Sequence, residues 1–276
     1  MDFLARGHSL QEPTPVQVPS MLSGFTPPYT PSGRSSLVPA PPWHYAGQVM
    51  SLALQLDREA GQSFLPDGFG AATGNGACHF IEWQWTTDGS ELLDPVYAQY
   101  KEFFVLIEAD RGSSRAFYCP FIYVDQDMSM VRGVLQGLPK KVGSVWMTRS
   151  YDLDHPAAAP VREGTRLGAS LAVKDRRLAE ATITLSGGAA EPIGFLALPT
   201  LGLVGSPTLI GGSSPGEKKP VRAVVERTTN GPAYRATGTL RLFESPRDEL
   251  SALRPRSVMA ASLSTFALTV AGAIAA

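Results

Sequence analysis

Lys140 and Lys141 stand side by side in a chain whose other lysines are only at 101, 174, 218 and 219. Two adjacent ammonium groups repel, and burying one of them disfavours its charged form again, so its pKa falls toward neutrality. A neutral amine attacks a ketone to give an imine, and the protonated imine withdraws electrons from the carbons next to it. The flanks favour this chemistry. Runs 130–139 and 142–147 are mostly apolar, and a doublet between them is expected to be partly buried, where unpaired ammonium is costly. Lys218-Lys219 is the contrast: it follows Gly211-Gly212-Ser213-Ser214-Pro215-Gly216-Glu217 and precedes Pro220, which reads as an exposed loop.

The elements that must position this doublet can be read on both sides of it. Asp125 or Asp127 can cap a helix in which Met130, Val134 and Leu138 recur every four residues, and Gly137 with Pro139 marks its end. Lys140 then stands just past a helix C-terminus, where a strand over 142–148 begins. Upstream, 102–109 and 116–124 read as strands joined by the turn 110–114. Further upstream, 45–56 alternates as a strand, Asp57 can cap a short helix to about Phe64, Asn75-Gly76 is a turn signal, and 77–86 is an aromatic-rich strand. Downstream, 167–173, 178–185, 221–227 and 234–243 read as strands, with Asn230-Gly231 linking the last two as a hairpin. The fold class expected is α+β and mainly antiparallel β, a closed or strongly curved barrel or cone-like sheet with a few short helices, since closure removes exposed edges.

Residues 12–42 are rich in proline and lack an apolar period, so 1–43 is read as a proline-rich N-terminal arm and 44–276 as a single domain. With 276 residues and 43% hydrophobic content the chain can bury a large core. A net charge of −1 leaves no basic footprint for nucleic acid. Cys78 and Cys119 fall in apolar runs without metal or redox spacing, and the four histidines, 8, 44, 79 and 155, have no ligand spacing, so no metal and no cofactor is expected. Reduced core cysteines and the absence of a targeting segment favour a cytoplasmic enzyme. Residues 258–276 carry no charge, but their Ala, Ser, Thr and Gly content favours a buried terminal segment over a membrane anchor. The run 211–216 lacks the Gly-Lys-Ser/Thr ending of a phosphate loop.

The stretch from Tyr123-Val124-Asp125 to Leu138-Pro139-Lys140-Lys141-Val142-Gly143 resembles the acetoacetate decarboxylase superfamily, whose members carry Pro-Lys-Lys after a short helix. Tyr100-Lys101-Glu102 is similar to the family's Tyr-x-Glu, Leu65-Pro66 to its early proline turn, and Thr239-Leu240-Arg241-Leu242-Phe243 to its late strand. The resemblance implies that Lys140 is the Schiff-base lysine, Lys141 the neighbour that lowers its pKa (activation by a cationic neighbour is the explanation established for acetoacetate decarboxylase itself), and Glu102 the active-site glutamate. Two departures matter. Gly47 falls where decarboxylases carry an arginine that grips the substrate carboxylate, and Arg132-Gly133-Val134 replaces Gly-Arg-Glu. Gln136, four residues before Lys140, resembles instead a branch of bacterial biosynthetic enzymes that condense pyruvate with partners and dehydrate the product.

The expected mechanism follows. Lys140 forms an imine with pyruvate or a similar 2-oxo acid, the methyl group loses a proton, and the enamine attacks an aldehyde before water leaves. Tyr100 and Glu102, two apart on a strand, project to one face and reach one pocket. Glu102 shuttles the proton, Tyr100 handles the carbinolamine or leaving water, and Gln136 grips the carboxylate. His44, Trp43 and Arg149 are further candidates for substrate contact. The partners expected are a small keto acid and an aldehyde, with no nucleic acid and no membrane, in a homo-oligomer. Two rival readings are a decarboxylase of acetoacetate or another 3-oxo acid and a non-catalytic ligand-binding barrel.

Overall fold

The computed structural model describes residues 21–207, 209 and 216–276. Residues 1–20 of the proline-rich arm, with His8, and the glycine-rich run 211–215 lie outside the described residues. Two compact units divide the chain, Met1–Pro39 and Ala40–Ala276. In the first, Ser23 and Thr30 form an antiparallel bridge. Thr26 Oγ1 donates to the Val38 carbonyl at 3.0 Å and accepts from the Val38 amide at 2.7 Å, so 21–39 folds back on itself.

In order, the second unit contains β1 (Trp43–Leu56), α1 (Arg58–Ser63), β2 (Ala71–Thr86), α2 (Pro95–Ala98), β3 (Gln99–Asp110), β4 (Arg115–Val124) and α3 (Asp127–Leu135). There follow β5 (Lys140–Val142), β6 (Ser144–Met147), β7 (Arg166–Val173), β8 (Arg176–Ala189), β9 (Thr200–Val204), β10 (Lys219–Leu242) and β11 (Pro255–Ala275). The sheet runs β11-β1-β2-β3-β4-β9-β10, and β10 pairs back onto β11, so these strands form a closed ring. From β10 the sheet continues through β8, β7 and β6. Closure satisfies the backbone groups that an open edge would expose.

Alternation along β3 divides the two faces. Phe103, Val105 and Ile107 join the main apolar cluster with Met50, Leu52, Phe80, Leu171 and Ile183, whereas Tyr100, Glu102 and Phe104 face a cavity on the other side. Burial on both faces explains why β3 reads as a nearly unbroken apolar run, with two buried carboxylates, Glu102 and Glu108. Cys78 and Cys119 are free and buried.

Local expectations changed in three places. Asn75-Gly76 lies inside β2 at a shift of register against β3, not in a turn between strands. Asn230-Gly231 likewise lies within the 24-residue β10, where the pairing with β11 shifts between Asn230 and Ala233. Both pairs mark irregularities in long strands, as glycine within a strand often does. The face that α3 buries holds Met128, Ser129, Arg132 and Gly133, while Val134 of the expected apolar stripe is exposed. The uncharged end of the chain forms most of β11, paired with β1 and β10. Among the described residues, no helix is long and apolar enough to cross a membrane.

Candidate active site

Two local devices place Lys140. The end of α3 is closed by Gly137 at φ +77, with Leu138 N donating to Gly133 O at 2.9 Å and Gly137 N to Val134 O at 3.1 Å. This paired closure satisfies the last carbonyls and turns the chain sharply. The chain then enters β5, which runs parallel to β4 with Lys140 opposite Ile122. The Lys140 stem lies against Gly133: a Cβ built there would be 2.3 Å from Cδ and 2.5 Å from Cγ. Any side chain at 133 would push the stem from its present course.

The amine reaches a walled polar cluster. Lys140 Nζ lies 2.5 Å from Glu102 Oε2 and donates to Ser129 Oγ at 3.1 Å, and the side chains of Lys140 and Glu102 are 6% and 7% exposed. The other Glu102 oxygen accepts from Trp83 Nε1 at 3.2 Å. Tyr100 presents its ring 5.5 Å from the amine. Lys140, Glu102, Trp83 and Tyr100 line a cavity of about 420 Å³ with Tyr45, Gln136 and a set of apolar side chains. Gln136 forms the C-cap of α3, donating from Nε2 to Arg132 O at 3.2 Å, and lines the cavity with Tyr45.

Burial lowers the Lys140 pKa from its ordinary value; the Glu102 carboxylate opposes this and the Arg132 guanidinium reinforces it. The net direction is toward the neutral, nucleophilic amine. Burial and the Glu102 charge raise the Tyr100 hydroxyl well above its usual range. Burial raises Tyr45 to about 12, with Arg132 working against it. Both phenols therefore stay protonated and can donate.

Arg132 is the cation that sequence reasoning missed. It is 1% exposed, and its two terminal nitrogens are buried without a hydrogen-bond partner. Four rings surround its guanidinium carbon: Trp85 at 4.6 Å, Tyr45 at 4.7 Å, and Trp43 and Tyr100 at 5.7 Å. Such contacts offset part of the cost of a buried cation. The positive charge near Lys140 is thus Arg132. Lys141, next along the short strand, projects to the opposite face, half-exposed, where it pairs with Asp248 over the Tyr123 ring. Asp248 also accepts from the Tyr123 hydroxyl at 2.9 Å.

A family model described as acetoacetate decarboxylase matches residues 26–275. The chain belongs to the acetoacetate decarboxylase family. No curated protein matches it. One similar solved structure is the enduracididine biosynthesis enzyme MppR, complexed with the condensation product of pyruvate and imidazole 4-carboxaldehyde. It is 29% identical with a TM-score of 0.86, covering 92% of this chain and 96% of that one. The same enzyme complexed with pyruvate gives 29% and 0.85, over 92% and 97%. An acetoacetate decarboxylase-like enzyme from Sphingomonas wittichii RW1 is 24% identical at a TM-score of 0.84, over 92% and 100%. Acetoacetate decarboxylase from Legionella pneumophila subsp. pneumophila str. Philadelphia 1 shares the fold at 16% identity and 0.70, over 86% and 88%.

Within this family fold, Gly47 occupies the position that the resemblance gives to the decarboxylases' carboxylate-binding arginine. It pairs with Trp83 on β2 and with Phe266 on β11, and a Cβ there would lie 2.6 Å from the Trp83 ring. The Trp83 indole that holds Glu102 therefore fills the space that a side chain at 47 would need.

The remaining candidates do not join Lys140. His44 lines a separate concavity with Gln84, Thr86 and Arg227, its Nδ1 2.9 Å from Thr269 Oγ1. Trp43 is buried against Arg132 and does not line the Lys140 cavity. Arg149 lines a third concavity with Gln99 and Lys101, which also reaches Trp83, Tyr100 and Phe266 of the Lys140 cavity but not Lys140 or Glu102. Ser129, Arg132, Gly133 and Gln136 were legible as one helical face, spaced i, i+3, i+4 and i+7. Trp83 carried no signal beyond an aromatic-rich strand, because its role depends on register with β3.

Proposed function

We propose that the protein is a lysine-dependent lyase that condenses pyruvate, or a similar 2-oxo acid, with an aldehyde and dehydrates the adduct, and that 44–276 forms its single catalytic domain. One observation carries this reading: the buried Lys140 amine lies in hydrogen-bond contact with Glu102 and lines one cavity with Gln136 and Tyr100, while Gly47 stands where the resemblance gives the decarboxylases an arginine. The similarity to MppR, which has been captured with pyruvate and with a condensation product, supports it.

Neutral Lys140 attacks C2 of the keto acid, and loss of water gives an iminium. Glu102, 2.5 Å from the amine, takes a proton from C3 to give the enamine. C3 then bonds to the aldehyde carbon, whose oxygen takes a proton. Loss of a second C3 proton and of that hydroxyl releases water and leaves a carbon–carbon double bond conjugated with the iminium. Hydrolysis returns Lys140 and frees the unsaturated keto acid. In this mechanism Tyr100 donates to the departing hydroxyl and Gln136 to the carboxylate.

Borohydride trapping with pyruvate, followed by intact mass and peptide mapping, tests the proposal. One pyruvate-derived adduct on Lys140, absent from Lys140→Ala, is expected. An unmodified protein would instead favour a ligand-binding role, and release of carbon dioxide from acetoacetate would favour a decarboxylase.

A further inference from the structure

The Lys140 cavity is polar at one end and apolar over most of its wall. Along the pocket face of β3, Tyr100 and Glu102 are followed by Phe104, about 7 Å beyond the carboxylate at two residues of strand rise. Phe104 begins a chain of edge-to-face rings, 5.4 Å to Phe195 and then 5.7 Å from Phe195 to Phe266. Leu198, Leu268 and Val270 continue the lining. Phe195 belongs to a short turn, Gly194–Leu196, fixed from beneath. Gly194 adopts φ +61, and a Cβ on it would be 2.2 Å from Nε2 of His79, a buried neutral histidine whose ring contacts both Phe104 and Phe195.

The volume also exceeds the need of a three-carbon acid, since cavities of roughly 300 Å³ and above enclose whole drug-sized ligands. The cavity's charged lining residues are Glu102, Lys140 and Arg222. Arg222 pairs in register with Leu201, whose side chain packs in a separate small cluster with Phe69 and Ala116. Arg222 is also exposed to solvent, unlike the buried Lys140 and Glu102. Next to Phe266, at Gly47, the family's arginine is missing. Among the described residues, the charged side chains lining this cavity are thus the two committed to the reaction and the exposed Arg222, so a charged acceptor among the rings would be desolvated without a buried partner.

We infer that the acceptor is an uncharged aldehyde bearing an aryl or branched alkyl group, which lies among Phe104, Phe195 and Phe266 while its carbonyl carbon meets C3 of the Lys140 enamine. This assignment rests on the condensation reading above. The bond made joins C3 to the aldehyde carbon, and the balance is one keto acid plus one aldehyde giving one unsaturated keto acid plus one water.

The test has two arms. Borohydride trapping of pyruvate on the unaltered enzyme comes first. Then kcat/KM at saturating pyruvate is measured with benzaldehyde, 3-methylbutanal, imidazole-4-carboxaldehyde and succinic semialdehyde, with product followed by mass. Benzaldehyde and 3-methylbutanal are expected to exceed succinic semialdehyde at least tenfold. Phe195→Ala is expected to lower kcat/KM for benzaldehyde tenfold more than it lowers the rate of pyruvate trapping. Pyruvate trapping combined with equal or greater turnover of succinic semialdehyde overturns the acceptor assignment and leaves the condensation reading standing. Failure to trap pyruvate overturns that reading, and the acceptor assignment with it. The panel on the unaltered enzyme decides the matter even where Phe195→Ala does not fold.

Discussion

Gly133→Ala would place a methyl group where the Lys140 stem now runs. The new Cβ would lie 2.3, 2.5 and 2.6 Å from Cδ, Cγ and Cε, whereas ordinary contact begins at 3.4 Å. The stem must therefore retreat by about 1 Å, and a misplacement of that size can cost on the order of 10²-fold in rate. Stability should move differently. Alanine in a helix interior is favoured over glycine by about 1 kcal/mol, and the obstructing group is a flexible side chain that can yield. A gain of that size raises Tm by about 2–4 °C in a domain of this length. The assay pairs a thermal melt with the rate of borohydride trapping by pyruvate. Expected are a Tm equal to or slightly above the parent and trapping slowed about 10²-fold by the displacement. Trapping at the parental rate with an unchanged melt would refute the claim that α3 holds the lysine in register.

Three further outcomes follow from the same geometry. Arg132→Met removes the cation that helps keep Lys140 neutral, so the rise of trapping rate with pH should move to higher pH, and reactivity below the midpoint should fall about tenfold for each whole pH step by which the midpoint rises. Lys141→Met should leave that midpoint in place, and a change there would restore the lysine doublet as the source of activation. Because replacing an unpaired buried charge with an apolar residue is often neutral or stabilising, the melt of Arg132→Met should match or exceed the parent. Glu102→Gln should move the midpoint the other way, since the carboxylate raises the Lys140 pKa, while condensation falls by about 10²–10⁴-fold with loss of the proton shuttle. Phe103→Ala, fully buried on the core side of β3, should destabilise by about 3–5 kcal/mol in chemical denaturation and leave the pH midpoint unchanged.

Much of this protein was written locally. The alternating and apolar runs marked most strands, Asp57 does accept from the Ala60 amide at 3.0 Å as a helix cap, and Gly137 with Pro139 ended α3 where their chemistry requires. Tyr100 and Glu102 share a face because a strand repeats every two residues. Glycine was less transparent: Gly76 and Gly231 mark register shifts within strands, which turn statistics do not distinguish from hairpin tips.

What residue types and short-range periodicity determined was the candidate lysine, the strand pair Tyr100 and Glu102, and the helix that leads to them. What the tertiary structure alone decided was which charges meet. Neighbours in sequence on a strand face opposite ways, so Lys141 was turned toward Asp248, while Arg132, eight residues away from Lys140 and across a helix end, was brought to bear on it. Trp83 reaches Glu102, and Phe266 stands beside Gly47, only because the ring of strands fixes their register. Electrostatic coupling and burial depend on distance through space, and spacing along the chain carries that information only within a single element.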